Sequence, residues 1–129
     1  MSEVVVDAVR GAERAPVRIT VAGERPYRLE ADGPTGRLTG EAEDLFDATV
    51  ALREQLERDG WLLQVEGARE DVYPSRMSRP SGKAYVLRPG RHSTRDDLVD
   101  TLAPLRAGHA VTVAEQRAYF ERWSESDRT

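Results

Sequence analysis

"EAEDLFDATVALREQLERDGWLLQVEG", residues 41–67, joins a helix pattern directly to a strand pattern. Leu45, Phe46, Thr49, Leu52 and Leu56 recur at helical spacing, which places them on one face and predicts a helix over Glu41–Asp59. Glu41, Glu43 and Asp44 suit its positive N-terminal end, Arg58 its C-terminal end, and Gly60 a C-cap. The pattern then changes period. Trp61, Leu63 and Val65 alternate with Leu62 and Gln64, as on a strand with one buried face. One long helix set among strands, rather than a regular strand–helix repeat, decides the class.

The flanks agree with that reading. Residues 3–9 form a short apolar run, and "APVRITVAG" alternates Val17, Ile19 and Val21 against Arg18 and Thr20. A polar turn at Gly23–Pro26 leads into "YRLE", so a hairpin is expected, followed by a loop at "ADGPTG" and a short strand at "RLT". After residue 67, "EDVYPSRMSRPSG" reads as a long semi-extended connection and "KAYVLR" as a strand. "STRDDLVDTLAP" predicts a short helix from Thr94, stopped by Pro104. Thr112 and Glu115 form a capping box that opens a last helix carrying Tyr119, Phe120 and Trp123. The expected fold is α+β, an antiparallel sheet of about four to six strands with two to three helices packed mainly on one face. Residues 1–129 are expected to form a single domain with a frayed tail at 124–129.

Composition removes several functional classes. No cysteine is present, which excludes disulfides and thiolate-held metals. There is no apolar run long enough to span a bilayer, and the acidic start "MSEVVVDAVRG" lacks the pattern of a secretory signal, so a cytoplasmic location is expected. A net charge of −4 argues against broad nucleic-acid binding. "SGK" at 81–83 is not a phosphate-binding loop, because Met77 and Ala84 stand where that motif requires Gly and Ser or Thr. His92 and His109 are seventeen residues apart on expected loops, so no metal site and no cofactor are expected. Asp96/Asp97 and Glu41/Glu43/Asp44 each fall in the first turn of an expected helix, where negative charge is stabilising without any catalytic role.

One segment departs from the rest. Residues 72–95 hold six of the 19 basic residues (Arg76, Arg79, Lys83, Arg88, Arg91 and Arg95) and none of the 23 acidic ones. Arg outnumbers Lys eighteen to one and Asn is absent, a usage typical of a GC-rich genome, which also suppresses Ile, Phe, Tyr and Met. Apart from Met1, those six disfavoured types total nine residues, and four of them (Tyr73, Met77, Lys83 and Tyr85) fall within 73–85. Charge and residue usage therefore point at the same stretch. Arg76 and Arg79 converge if their segment turns helically, and Lys83 and Tyr85 share a strand face. With Tyr73, Ser75 and Arg88 they form a candidate binding set of guanidinium, ammonium and hydroxyl groups suited to carboxylate or phosphate. The competing reading is that these cations solvate a loop and pair with the acidic 41–59 helix.

Gly67-Ala68, Tyr73-Pro74-Ser75 with Met77, Lys83-Ala84-Tyr85 and Asp97-Leu98-Val99 together resemble a group of small bacterial proteins without an assigned activity. The resemblance covers roughly residues 60–102. Arg76 stands where that group would have Gly, and "RPSG" replaces a glycine-richer run, which implies a stiffer and more cationic loop. The resemblance implies a dedicated role for the stretch and no particular chemistry. The leading expectation is a small non-catalytic bacterial binding protein, of the immunity or accessory type, that holds an acidic protein partner through 73–91. The alternatives are a binder of a nucleotide or phosphorylated metabolite through Arg76, Arg79 and Lys83, and an enzyme using Lys83 or Tyr85 as acid/base group. The aromatic last helix also offers a homodimer contact.

Overall fold

A computed structural model describes residues 2–23 and 25–126. Four strands come first: β1 (Ser2–Arg10), β2 (Glu13–Ala22), β3 (Tyr27–Gly33) and β4 (Gly36–Ala42). They form an antiparallel meander, and β5 (Leu62–Leu63) returns after the helix to pair with β1, giving the order β4-β3-β2-β1-β5. A second sheet, order β6-β7-β8, is built from Val72–Tyr73, Lys83–Val86 and Leu98–Asp100. The helices are α1 (Leu45–Arg58) and α2 (Val113–Glu125). The architecture is α+β.

Alternation in the sequence becomes two-sidedness in the large sheet. Val6, Ala8, Val17, Ile19, Leu29 and Ala31 point inward and are buried, while Arg18, Arg28 and Glu30 lie on the exposed face. α1 covers the inner face with Ala48, Leu52 and Leu56, and Trp61, Leu63 and Val65 complete the core. Gly40 on β4 allows the close approach, since a Cβ there would run into the Ala48 carbonyl. Phe46, at the other end of α1, packs instead with Val72, Ala84 and Val86 of the small sheet. One helix thus bridges both sheets. Its Gln55 side chain also reaches the edge strand, donating to the Thr39 carbonyl at 2.7 Å.

Four boundaries differ from expectation. α1 starts at Leu45 rather than Glu41, because Asp44 caps it by accepting from the Asp47 N–H and Glu41 pairs with Arg28 in the sheet. The "ADGPTG" loop shrinks to a tight turn, since Asp32 and Arg37 pair across β3 and β4 and bridge at 3.3 Å. The expected helix from Thr94 is a single 3-10 turn, Arg95–Asp97, followed by β8. Its capping box forms, with the Asp97 carboxylate accepting from the Thr94 N–H, but Leu98 and Val99 then take ladder bonds to Tyr85 and Ala84. Backbone pairing with an available strand outcompetes a short isolated helix. Of the expected tail, Ser124 and Glu125 belong to α2, and residues 127–129 lie outside the described residues. Among the described residues no helix is long and apolar enough to cross a membrane.

Candidate functional site

A buried polar hub seats α2. Arg53 lies on the same stripe of α1 as Phe46 and Thr49, at i+7 and i+4, and its side chain is 1% exposed. Its guanidinium donates to Gln116 Oε1 at 2.6 Å and to the Val111 carbonyl at 2.9 Å. Gln116, on the first turn of α2, donates in turn to the carbonyls of Gly67, Arg69 and Val72 at 2.8–2.9 Å. Glu57 accepts from the Val113 N–H at 3.0 Å. Burial lowers the Arg53 guanidinium to about 10, with Glu57 opposing the fall, so it stays charged at neutral pH. Burial likewise pushes Glu57 up, and the Val113 N–H and Arg53 oppose that rise. An unpaired charge at this depth would be costly; both terminal nitrogens of Arg53 are hydrogen-bonded, while its buried Nε has no hydrogen bond and only approaches Glu57 at 3.7 Å.

The hub determines what α2 presents. Phe120 stacks on Tyr73 with ring centroids 4.1 Å apart, and Phe46 and Tyr73 meet edge to face at 5.3 Å. Trp123, one turn beyond Phe120, donates its indole N–H to the Arg88 carbonyl at 3.0 Å. Opposite lies the segment that follows β6. Ser75 and Ser78 bond reciprocally, each hydroxyl accepting from the other's backbone N–H at 2.9 and 3.0 Å. This closes a turn whose tip projects Arg76 and Met77 outward; Met77 is 89% exposed. Between turn and helix is a cleft of about 840 Å³ whose wall includes Tyr73, Arg76, Tyr85, Leu87, Phe120 and Trp123. Its size falls in the range of ligand clefts. Four of the chain's eight aromatic side chains line it.

The cations divide into two groups. Arg79 bridges Asp44 and Asp47, both at 3.1 Å, and so ties the turn to the start of α1. Arg88 and Arg91 both reach Asp97, and Lys83 approaches Asp100 at 3.9 Å. The Thr94 N–H bond, followed by Arg91 and Arg88, holds the Asp97 carboxyl below its ordinary value. Arg76 has no hydrogen bond or ion pair among the described residues. It alone of the cleft's cations is free for a ligand.

Of the expected binding set, Tyr73, Ser75, Arg76, Arg79 and Tyr85 line the cleft together. Lys83 and Arg88 do not; Lys83 is exposed beyond the lining, and Arg88 contributes its carbonyl to Trp123. Sequence reasoning left out Leu87, Met77, Ser93 and the α2 pair Phe120 and Trp123, although the i, i+3 spacing of that pair on a capped helix marked a common face. It also missed Arg53 and Gln116. The signal for Arg53 was a charged residue on the apolar stripe, whereas nothing along the chain marked Gln116. The Ser93 hydroxyl is buried in the cleft wall without a hydrogen-bond partner, which leaves a polar contact open. Among the described residues no group of three or more His, Asp or Glu side chains could hold a metal ion.

Comparison with known proteins gives no family assignment: no family model matches the chain, and no curated protein matches it.

Proposed function

We propose that this chain is a small non-catalytic binding protein whose cleft holds an anionic ligand by a ring-sized apolar body. The observation that carries the reading is the convergence of four aromatic rings and a partner-free Arg76 on one cleft. Mostly apolar walls with a few placed polar groups are the ordinary composition of a ligand site. Aromatic faces favour a flat apolar body, and the guanidinium adds a charge contact at one end. A cytoplasmic location suits a chain without cysteine.

The test uses two fluorescent probes with similar rings, anilinonaphthalene sulfonate and the neutral phenylnaphthylamine. Both should bind saturably, and Phe120→Ala should weaken both. Arg76→Ala should weaken the sulfonate alone by about tenfold, the equivalent of one charge-assisted hydrogen bond. No saturable binding of either probe, or binding indifferent to Phe120→Ala, would remove the proposal.

The exposure of Met77 beside Arg76 favours a second reading, in which the occupant is an apolar side chain of an acidic partner protein. Met77→Asp would then abolish capture of that partner while leaving the neutral probe bound.

A further inference from the structure

A smaller cleft of about 260 Å³ adjoins the first and shares Arg76 and Arg79 with it. Its other walls are Arg25, Tyr27, Glu43, Asp44 and Pro80. Arg25 is the one non-glycine residue with positive φ among the described residues, at 58°, a conformation L-residues rarely adopt. Its side chain is exposed and, like that of Arg76, has no hydrogen bond or ion pair among the described residues. Arg79 is already engaged by Asp44, which lines the cleft, and by Asp47, which lies outside the lining. What remains open in the small cleft is therefore two guanidiniums, Arg25 and Arg76, against one carboxylate, Glu43, which is also unpaired among the described residues. Across the cleft lining three guanidiniums face two carboxylates, Glu43 and Asp44, a single positive excess. A monoanion meets it; a dianion would face Glu43 with charge left over.

We infer that the ligand is an aromatic or similarly flat carboxylic acid rather than a phosphate ester. Its rings occupy the large cleft, its carboxylate lies in the small one between Arg25 and Arg76, and Glu43 selects against a second negative charge. The planar fork of guanidinium matches a carboxylate, and two forks on one group account for both free arginines. This rests on the reading of the large cleft as a ring-binding site. It adds a chemical class, and it gives Arg25 and Glu43 roles that their positions in sequence, outside the cationic stretch, do not suggest.

The experiment titrates the full chain with naphthaleneacetate, neutral naphthaleneacetamide and naphthyl phosphate at about pH 8, where a phosphate monoester is doubly charged. Naphthaleneacetate should bind about tenfold more tightly than the amide and more tightly than the phosphate. Arg25→Gln should bring the acid down to the amide's affinity without altering the amide, and Glu43→Gln should raise phosphate binding. If the amide binds but the acid binds no better, or the phosphate binds best, the inference fails and the ring site stands. If the amide does not bind, the ring site fails, and the small cleft is read alone by NMR. Acetate should then move the Arg25 and Arg76 Nε–H signals saturably and phosphate should do so more weakly; equal shifts at all exposed arginines would overturn the inference.

Discussion

Replacing Gln116 by Leu tests whether the polar hub holds α2 in place. The substitution keeps side-chain bulk and removes one amide that serves three carbonyls and accepts from Arg53. Arg53 keeps the Val111 carbonyl and its 3.7 Å approach to Glu57, but its shortest bond, 2.6 Å, disappears. Losing a charge-assisted bond costs about 1.5–3 kcal/mol, and each buried acceptor left without a partner adds about 1–3 kcal/mol before relaxation. Only two amide hydrogens serve the three carbonyls, so the net loss falls near the lower part of that range, about 3–5 kcal/mol. Urea unfolding measures it directly. The sharper readout is the double variant Arg53→Met, Gln116→Leu, which removes the buried charge together with its partner. An apolar pair of similar volume recovers much of the loss, so the double variant should be more stable than Gln116→Leu alone. A Gln116→Leu protein within about 0.5 kcal/mol of the parent, or a double variant that loses the sum of both singles, would show that α2 is held by something else.

Three further outcomes are expected. Leu52→Ala should cost about 2–5 kcal/mol in chemical denaturation, because Leu52 is fully buried where α1 crosses Gly40. Arg76→Glu should leave the melting temperature nearly unchanged, whereas Arg79→Glu should lower it by placing a third negative charge beside Asp44 and Asp47 at the α1 N-terminus; equal effects of the two would refute the division of the cations. Asp97 has a folded value below its unfolded value, so it stabilises the fold above the ordinary carboxylate value of about 3.9 and loses that contribution as pH falls through the lower folded one. Asp97→Asn should therefore flatten the acid limb of a stability–pH profile below about pH 4, and an unaltered acid limb would contradict the assignment.

What could be read along the chain were the features that repeat with the period of their element. Val17 and Ile19 alternate and are buried; Leu52 and Leu56 keep helical spacing and are buried; Thr112 and Glu115 form their capping box. Where reading failed, a distant partner decided the outcome. "DLVD" has a good helix start, yet β7 claims it as a strand. Charge density pointed to the right stretch, but most of that charge is neutralised by aspartates that lie outside it, at 44, 47, 97 and 100. The useful cation is recognised by lacking such a partner, which no linear pattern records. The second wall of the cleft comes from Phe120 and Trp123, about forty residues away, and their pairing with Tyr73 depends on Arg53 and Gln116 meeting across the interior.

The same hub predicts an order in which the molecule takes shape. The first four strands pair through successive hairpins, so their loops close at small entropic cost. The hub bond joins residues 63 apart and rewards the chain only after both helices and the turn at 66–68 are in position. This difference in contact range predicts that the sheet with α1 stands while α2 is still open, which would give a lower stability level for the cleft than for the scaffold. The concentration able to bind is then smaller than the concentration folded. A ligand that bridges the turn and α2 would slow amide exchange most in residues 113–125, while the meander's protection, already set by global unfolding, would scarcely change.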